Sequence, residues 1–415
     1  MADRPRARRL LERLSAARAR HHERHRPSGF GFALADSIGY VDPVRWDTLT
    51  AGASLFLQRR YLAVLEAHGP ENLEPRYALI HRGRTPVAAV AMQLVTVAGT
   101  RFMKPGSGRR RLLRRALTPA AEALRERVLV CGNLLSWGFH AAAFAPGVAP
   151  AEVWPAIAEA MYRVRRAERL AGSTDFALVK DLAAAEMAEA GALRRFSYRP
   201  VESDPNMVLA LAPEWRGYED YLAALTGKYR NAAKKIQKDL AQAGCTLGAL
   251  KEVAGHAERL HALYLGVVDN AAVRPVTLPA TFFPALAEAM GEDFRCVAVR
   301  RAHDLVGFIS ILKDGDTAVA YYIGFDRASG VGNTVYLALL HAVIGEAIAL
   351  GCRRVSFGRT ALEPKAGLGA RPERTWLWAR HRNPVMNALV RKLLAAVPHG
   401  EAPERSPFKS STPES

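Results

Sequence analysis

The chain has 415 residues, more than one small core needs and suited to two domains of ordinary size. Apolar residues make up 49% and charged residues 24%, the mix of a soluble globular protein. No apolar run reaches the uninterrupted length of a bilayer span, and no secretory segment is read near Met1. Lysine and arginine outnumber the acids 58 to 40, a net charge of +18 that favours anionic partners: nucleotide-like ligands, tRNA or the inner surface of a membrane.

Residues 1–28 read as a basic, flexible leader, with arginines from Arg4 to Arg26 against only Asp3, Glu12 and Glu23. A first globular half is expected over 29–211. Residues 76–81 and 86–97 are two apolar runs around Arg82-Gly83-Arg84, the pattern of a hairpin. A third strand is expected at 128–134, then a helix at 151–170 ended by Gly172 and a strand at 174–180. Between them, residues 104–115 mix Gly, Ser and Arg and read as a mobile loop. Its alternation of Arg with Leu112, Leu113 and Leu117 also suits an anionic membrane surface. No base-reading motif accompanies it, so specific DNA binding is not expected.

The second half, 212–397, includes a basic helix at 228–243. At ~100° per residue, Tyr229, Ala233, Ile236 and Leu240 share one face. Lys228, Arg230, Lys234, Lys235 and Lys238 spread over the opposite arc with Asp239 the only acid, which suits an anion-facing surface. A hairpin at 295–301 and 305–313 follows, then a tight turn at Asp314-Gly315, a strand at 317–325, a helix at 333–350 and a strand at 353–358. Hairpin, strand, helix, strand thus occurs twice, which argues for tandem copies of one α/β domain. The tail, 398–415, is rich in Pro, Ser and Glu and is expected to be disordered. Cys131, Cys245, Cys296 and Cys352 show no metal-ligand spacing and read as reduced thiols of a cytoplasmic protein, so no metal is expected.

Arg327-Ala328-Ser329-Gly330-Val331-Gly332 joins the strand to the helix as R-x-x-G-x-G. Its glycines let the backbone approach a ligand closely. The first helical turn, opening at Asn333, leaves N–H groups without intrahelical partners. Together with the helix dipole they suit a phosphate or pyrophosphate. The first copy has Ser136-Trp137-Gly138-Phe139-His140 and an alanine-proline stretch in the corresponding place. The ligand site is therefore expected in the second copy only, the first serving as a support or as a wall of the acceptor cleft.

A strand, an R-x-x-G-x-G loop, a helix and a following strand resemble the acyl-CoA site of the GNAT acyltransferase superfamily. The stretch 357–369, through Gly358, Lys365 and Gly369, resembles the branch of FemAB-type peptidoglycan transferases and cellulose-biosynthesis acetyltransferases. The resemblance implies an α/β fold of tandem GNAT-like domains, each a mixed sheet flanked by helices. It also implies an N-acyltransferase that moves an acyl group, acetyl first among them, from acyl-CoA to an amine. Ile323, Arg327, Ala328, Ser329, Gly330, Val331, Gly332 and Asn333 would hold the donor. An amine with a pKa near ~10.4 must lose a proton before it attacks, and Tyr322 and Asp326 are the candidate proton carriers. Alternation puts both on one face with Gly324, and Tyr321, Ile323 and Phe325 on the other. Lys234, Lys235 and Lys365 are the candidate substrate contacts. The acceptor is expected to be a small molecule or a cell-envelope precursor, with contact to tRNA or the inner membrane surface as a further expectation. Two alternatives stand beside this reading. One is aminoacyl-tRNA-dependent transfer to a cell-wall or lipid precursor, in the FemAB manner, favoured by the basic helix and the +18 charge. The other is a non-catalytic basic scaffold for anionic polymers or membranes, against which the intact glycine loop speaks.

Overall fold

The computed structural model describes residues 26–98, 125–269, 275–327, 329–395 and 403–409, with isolated positions between 12 and 23. Most of the basic leader and the whole of the loop 104–115 lie outside the described residues. The strands are β1 (Gly31–Ala35), β2 (Leu73–Arg82), β3 (Thr85–Ala98), β4 (Arg125–Cys131), β5 (Ala142–Phe144), β6 (Phe176–Leu182), β7 (Arg199–Ala210), β8 (Cys245–Ala249), β9 (Phe294–Arg301), β10 (Asp304–Asp314), β11 (Thr317–Phe325), β12 (Arg354–Ser356) and β13 (Arg371–His381). The α-helices are α1 (Pro43–Thr50), α2 (Arg59–His68), α3 (Pro150–Ala167), α4 (Ala184–Glu189), α5 (Tyr218–Ala224), α6 (Gly227–Gln242), α7 (Ala257–Val268), α8 (Phe282–Met290), α9 (Gly332–Ala349), α10 (Leu362–Gly367) and α11 (Pro384–Ala395).

All the strands share one sheet in the order β1-β2-β3-β4-β6-β13-β7-β12-β11-β10-β9-β8, with β5 beside β3. The order reads alike from either edge once β8 to β12 are taken as second versions of β1 to β4 and β6. Each copy has three antiparallel steps and then one parallel pair, β4 with β6 and β11 with β12. The copies then exchange their last strands. β7 leaves the first copy to pair with β12, and β13 leaves the second to pair with β6. These two exchanged strands pair with each other at the centre. The fold is a tandem GNAT-like α/β architecture, as the repeat in the sequence implies.

The hairpins sit where turn chemistry puts them. Asp314 pairs with Thr317 across a two-residue turn, in which Gly315 takes φ +60 without the penalty a Cβ would bring. One core lies under the helix pairs of both copies, joining Trp46 and Tyr61 of α1 and α2 to Leu260 and Phe282 of α7 and α8. A second core joins α9 and α6 to the other face of β10 and β11. Helix α9 is long and apolar enough to cross a membrane by length and composition. Here it lies on the sheet with Val335, Leu339 and Val343 buried.

The expectation of a disordered tail is corrected over 403–409. Pro407 is buried, Thr226 N donates to its carbonyl at 2.8 Å, and Phe408 packs in the second core over Gly369. Two apolar anchors outweigh a composition that averages as polar.

Candidate functional site

β11 and β12 run parallel but pair only over Thr317–Val319 against Arg354–Ser356. The chain after β12 turns at Gly358, with φ +78, while β11 continues to Phe325 with β10 on its other side. The β10–β11 register slips between Ser310 and Ile311, leaving Tyr321 as an extra residue on β11. Such a bulge bends and twists a strand away from its neighbour. A wedge opens between β11 and β12. Among the described residues, no strand pairs with that edge of β11 beyond Val319, so its N–H and C=O groups form a template for an extended ligand.

The strand feeds the glycine loop. Asp326 N donates to Val306 O at 2.9 Å and Ser329 Oγ donates to Asp326 O at 2.7 Å, folding the loop back on the strand end. Gly332 opens α9 in a tight seat, where a Cβ would stand 3.0 Å from Asp326 O and 3.1 Å from Arg327 Cα. Gly330, at φ +75, faces open space instead. Val335 N reaches Val331 O at 3.0 Å; the N–H groups of Gly332, Asn333 and Thr334 come before that bond, at the positive end of the helix dipole. Arg327 is exposed, its guanidinium 5.4 Å from the Phe325 ring centroid.

The first copy walls the wedge. Trp137 Nε1 donates to Ser356 Oγ at 2.7 Å, and its indole lies on Gly358, where a Cβ would come within 3.0 Å of the ring. Tyr322 OH donates to Leu135 O at 3.3 Å. Tyr321 OH and Tyr61 OH stand 2.9 Å apart, with Asn133 Nδ2 donating to Tyr61 at 2.9 Å. Burial raises the hydroxyls of Tyr321 and Tyr322 well above the ordinary phenol value, so both are proton donors rather than bases near neutrality. The wall is fastened from beneath. Lys180 Nζ donates to Ser136 O at 2.6 Å and pairs with Asp181, which also takes Arg359 and accepts from Gly138 N at 3.3 Å. Asp181 is buried in a left-handed conformation, φ +63.

Asn206 on β7 holds the end of β12: its Oδ1 accepts from Gly358 N at 3.0 Å and its Nδ2 donates to Ser356 Oγ at 2.9 Å. Beneath it lies Lys365 of α10, only 3% exposed, with Nζ donating to Gly358 O at 3.3 Å. Burial in this apolar seat pulls its amine down to about 7.

A family model described as an acetyltransferase (GNAT) domain matches residues 227–366, the span that holds the wedge, the glycine loop and Lys365. The crystal structure of FemX shares the fold, with a TM-score of 0.53 at 9% identity over 86% of this chain and 100% of that one. Residues 227–366 form a GNAT domain. A tandem GNAT protein from the clavulanic acid biosynthesis pathway aligns over 86% of this chain and 99% of its own, at 13% identity and a TM-score of 0.47. L-PGS from Bacillus licheniformis aligns over 80% and 95%, at 11% identity and a TM-score of 0.45. No curated protein matches the sequence.

In this GNAT frame, Arg327, Ser329, Gly330, Val331, Gly332 and Asn333 stand together at the start of α9, while Ala328 lies outside the described residues. The alternation read along the strand is corrected by the bulge. Tyr321 moves to the face of Tyr322, both against the α7–α8 core, while Ile323 and Phe325 face the α9 core. Asp326 ends the strand about 13 Å beyond Tyr322 at the rise of an extended chain. Lys234 and Lys235 are exposed on the arc of α6 opposite the buried Ala233 and Leu240, whereas Lys365 is buried under β12. The structure does not bring these three lysines together. Sequence reasoning missed Trp137, Asn206 and Ser356, whose partners lie 219 and 150 residues away. It also missed Lys180, Asp181 and Arg359. A Lys-Asp pair closing the apolar run 176–179, and an arginine directly after the matched Gly358, were the available signals.

Proposed function

We propose that this protein is an N-acyltransferase that takes an acyl group, acetyl first among them, from acyl-CoA and passes it to an amine. The observation that carries the reading is the wedge with its glycine loop and helix start, found among the described residues in the second copy alone. In the first copy β4 runs from its pairing with β6 into Gly132 and the Trp137 loop. In the reaction the amine attacks the thioester carbonyl, the carbon–sulfur bond breaks, and the thiolate leaves. The open backbone at Gly330 and the first-turn N–H groups of α9 suit the pyrophosphate, with Arg327 adding a charge-assisted contact. The free edge of β11 receives the pantetheine amides and supplies N–H groups for the developing oxyanion. Tyr322, a donor at neutral pH, protonates the leaving sulfur. Lys365, near half neutral at pH 7, exchanges a proton at Nζ beside Gly358. The ammonium loses one proton to water before attack, and the proton released from nitrogen as the amide forms restores Tyr322; Asp326, about 13 Å from Tyr322, orders the donor loop. The acceptor enters on the side of Leu135 and Trp137.

Titration of the purified protein with acetyl-CoA and longer acyl-CoAs, followed calorimetrically, tests this, and saturable binding is expected. The second reading is aminoacyl transfer from tRNA to a cell-envelope precursor, supported by the exposed basic arc of α6. Absence of acyl-CoA binding at millimolar concentration, with binding of aminoacyl-tRNA, would replace the first reading by the second.

A further inference from the structure

Between α6 and α9, away from the wedge, lies a cavity of about 430 Å³. Its walls include Ile236 and Leu240 of α6, Leu247 of β8, and Ala338, Ala342 and Gly345 of α9. From Ala338 to Glu346 it follows α9 for about 12 Å at the rise of a helix. The slot is open to solvent along Gln237, Ala241 and Leu247, so its apolar walls face water and would gain by burial against an apolar chain. Helix α9 is apolar around its circumference; the sheet covers one side, and this side is left with Ala and Gly where larger residues would have met α6. The polar groups within are already satisfied: Tyr218 OH and His341 Nδ1 stand 2.8 Å apart, and none of the lining side chains has an unpaired buried polar atom. Nothing inside therefore selects a polar ligand. Burial also lowers His341 to about 4, so the inner end is neutral.

The rim differs. Lys234 and Lys238 flank the lining residues Gln237 and Ala241 on α6, a helix with five cations and one acid, and all four are exposed. On the far rim, Glu346 lies 4.0 Å from Arg295. Leu247, 43% exposed, sits at the open edge strand. An apolar slot of ligand size beside a cationic rim complements an amphiphile with an anionic head. We infer that this slot takes one acyl chain of an anionic phospholipid, with the headgroup held by Lys234 and Lys238. The inference stands apart from the transferase reading and places a lipid contact on the outer flank of α9.

The test uses the full chain with vesicles of equal parts phosphatidylglycerol and phosphatidylcholine carrying a trace of lipid with a diazirine on one acyl chain. Irradiation and peptide mapping are expected to find the label on 231–249 and 338–346. Ala342→Phe, which fills the slot, is expected to lower the label there by more than ~10-fold, the equivalent of about two buried methylenes. Lys234→Gln with Lys238→Gln should lower it at low salt, and vesicles of phosphatidylcholine alone should label weakly. Should Ala342→Phe fail to fold, Gly345→Ala narrows the slot with an ordinary 3.5 Å contact to Tyr218 Cβ and serves in its place. Label confined to other peptides, or unchanged label in a folded slot variant, overturns the inference; equal labelling from neutral vesicles overturns the role of the rim.

Discussion

Replacing Lys365 by Met should stabilise the protein while removing activity. The amine falls from its ordinary 10.5 to about 7 because it is buried, with Gly358 O as its hydrogen-bond partner. Each tenfold change in proton affinity is about 1.4 kcal/mol, so at pH 7 the unfolded chain gains roughly 4–5 kcal/mol from protonating this amine that the native state does not. Met keeps the chain length and volume and loses one hydrogen bond of about 1 kcal/mol. Gly358 O still accepts from Met207 N at 3.1 Å, so no buried acceptor is orphaned. The net expectation is a gain of about 2–4 kcal/mol at pH 7. The sign follows from linkage. Between the native value and 10.5 the unfolded state binds a proton that the native state does not, so wild-type stability rises with pH through that window. Below about 7 both states hold the proton and the full cost of burying the charge persists. Lys365→Met lacks the rise, and the two stabilities should converge toward about pH 10. Urea unfolding of both proteins at neutral and alkaline pH measures the gap. A gap independent of pH, or a variant weaker than wild type at pH 7, would refute the seat assigned to this lysine. Residues kept at such a cost to stability are commonly functional.

In Gly345→Ala, a new methyl in ordinary contact with Tyr218 should raise stability by about 0.5–1 kcal/mol through helix propensity, read by chemical denaturation. Arg327→Ala should weaken acyl-CoA by about tenfold or more with an unchanged melting temperature, since its side chain is exposed, with its guanidinium over the Phe325 ring, and the loss is one charge-assisted contact of about 1.5–3 kcal/mol. Gly332→Val should instead disturb the loop itself, because its Cβ would press on Asp326 O and Arg327 Cα; amide exchange across 326–335 separates that outcome from a purely ligand-side loss. Asp181→Asn leaves Lys180 and Arg359 together without their carboxylate and should cost about 3 kcal/mol in urea unfolding. Residues 29–211 expressed alone should not yield a folded monomer, since β7 would have neither β12 nor β13 beside it; a cooperative, monomeric unfolding transition would contradict the exchange.

The local elements were legible because their signals are local. Strand 317–325, the turn at Gly315 and the inward face of α6 follow from apolar spacing and turn chemistry within a dozen residues, and the structure places them there. The exchange of β7 and β13 was not legible. Apolar alternation marks a strand but does not choose its partner, and swapping equivalent strands between two copies leaves every local pattern intact. The bulge at Tyr321 was hidden for a related reason. Both faces of β11 carry buried residues, so a one-residue slip leaves no polar side chain in an apolar core to betray it.

The exchange also explains where the site lies. β6 ends opposite Trp376 and β12 ends opposite Val208, so the carboxyl ends of the two parallel pairs face each other across β13 and β7. The loop leaving β4 therefore comes to rest beside the end of β12, and Asp181 at the end of β6 reaches Arg359 just beyond it. A single copy with the same glycine loop could present phosphate-binding N–H groups. It would leave Tyr322 OH without Leu135 O, and Ser356 Oγ without the indole of Trp137. In this protein the glycine loop belongs to one copy, but the wedge it serves is completed by the other.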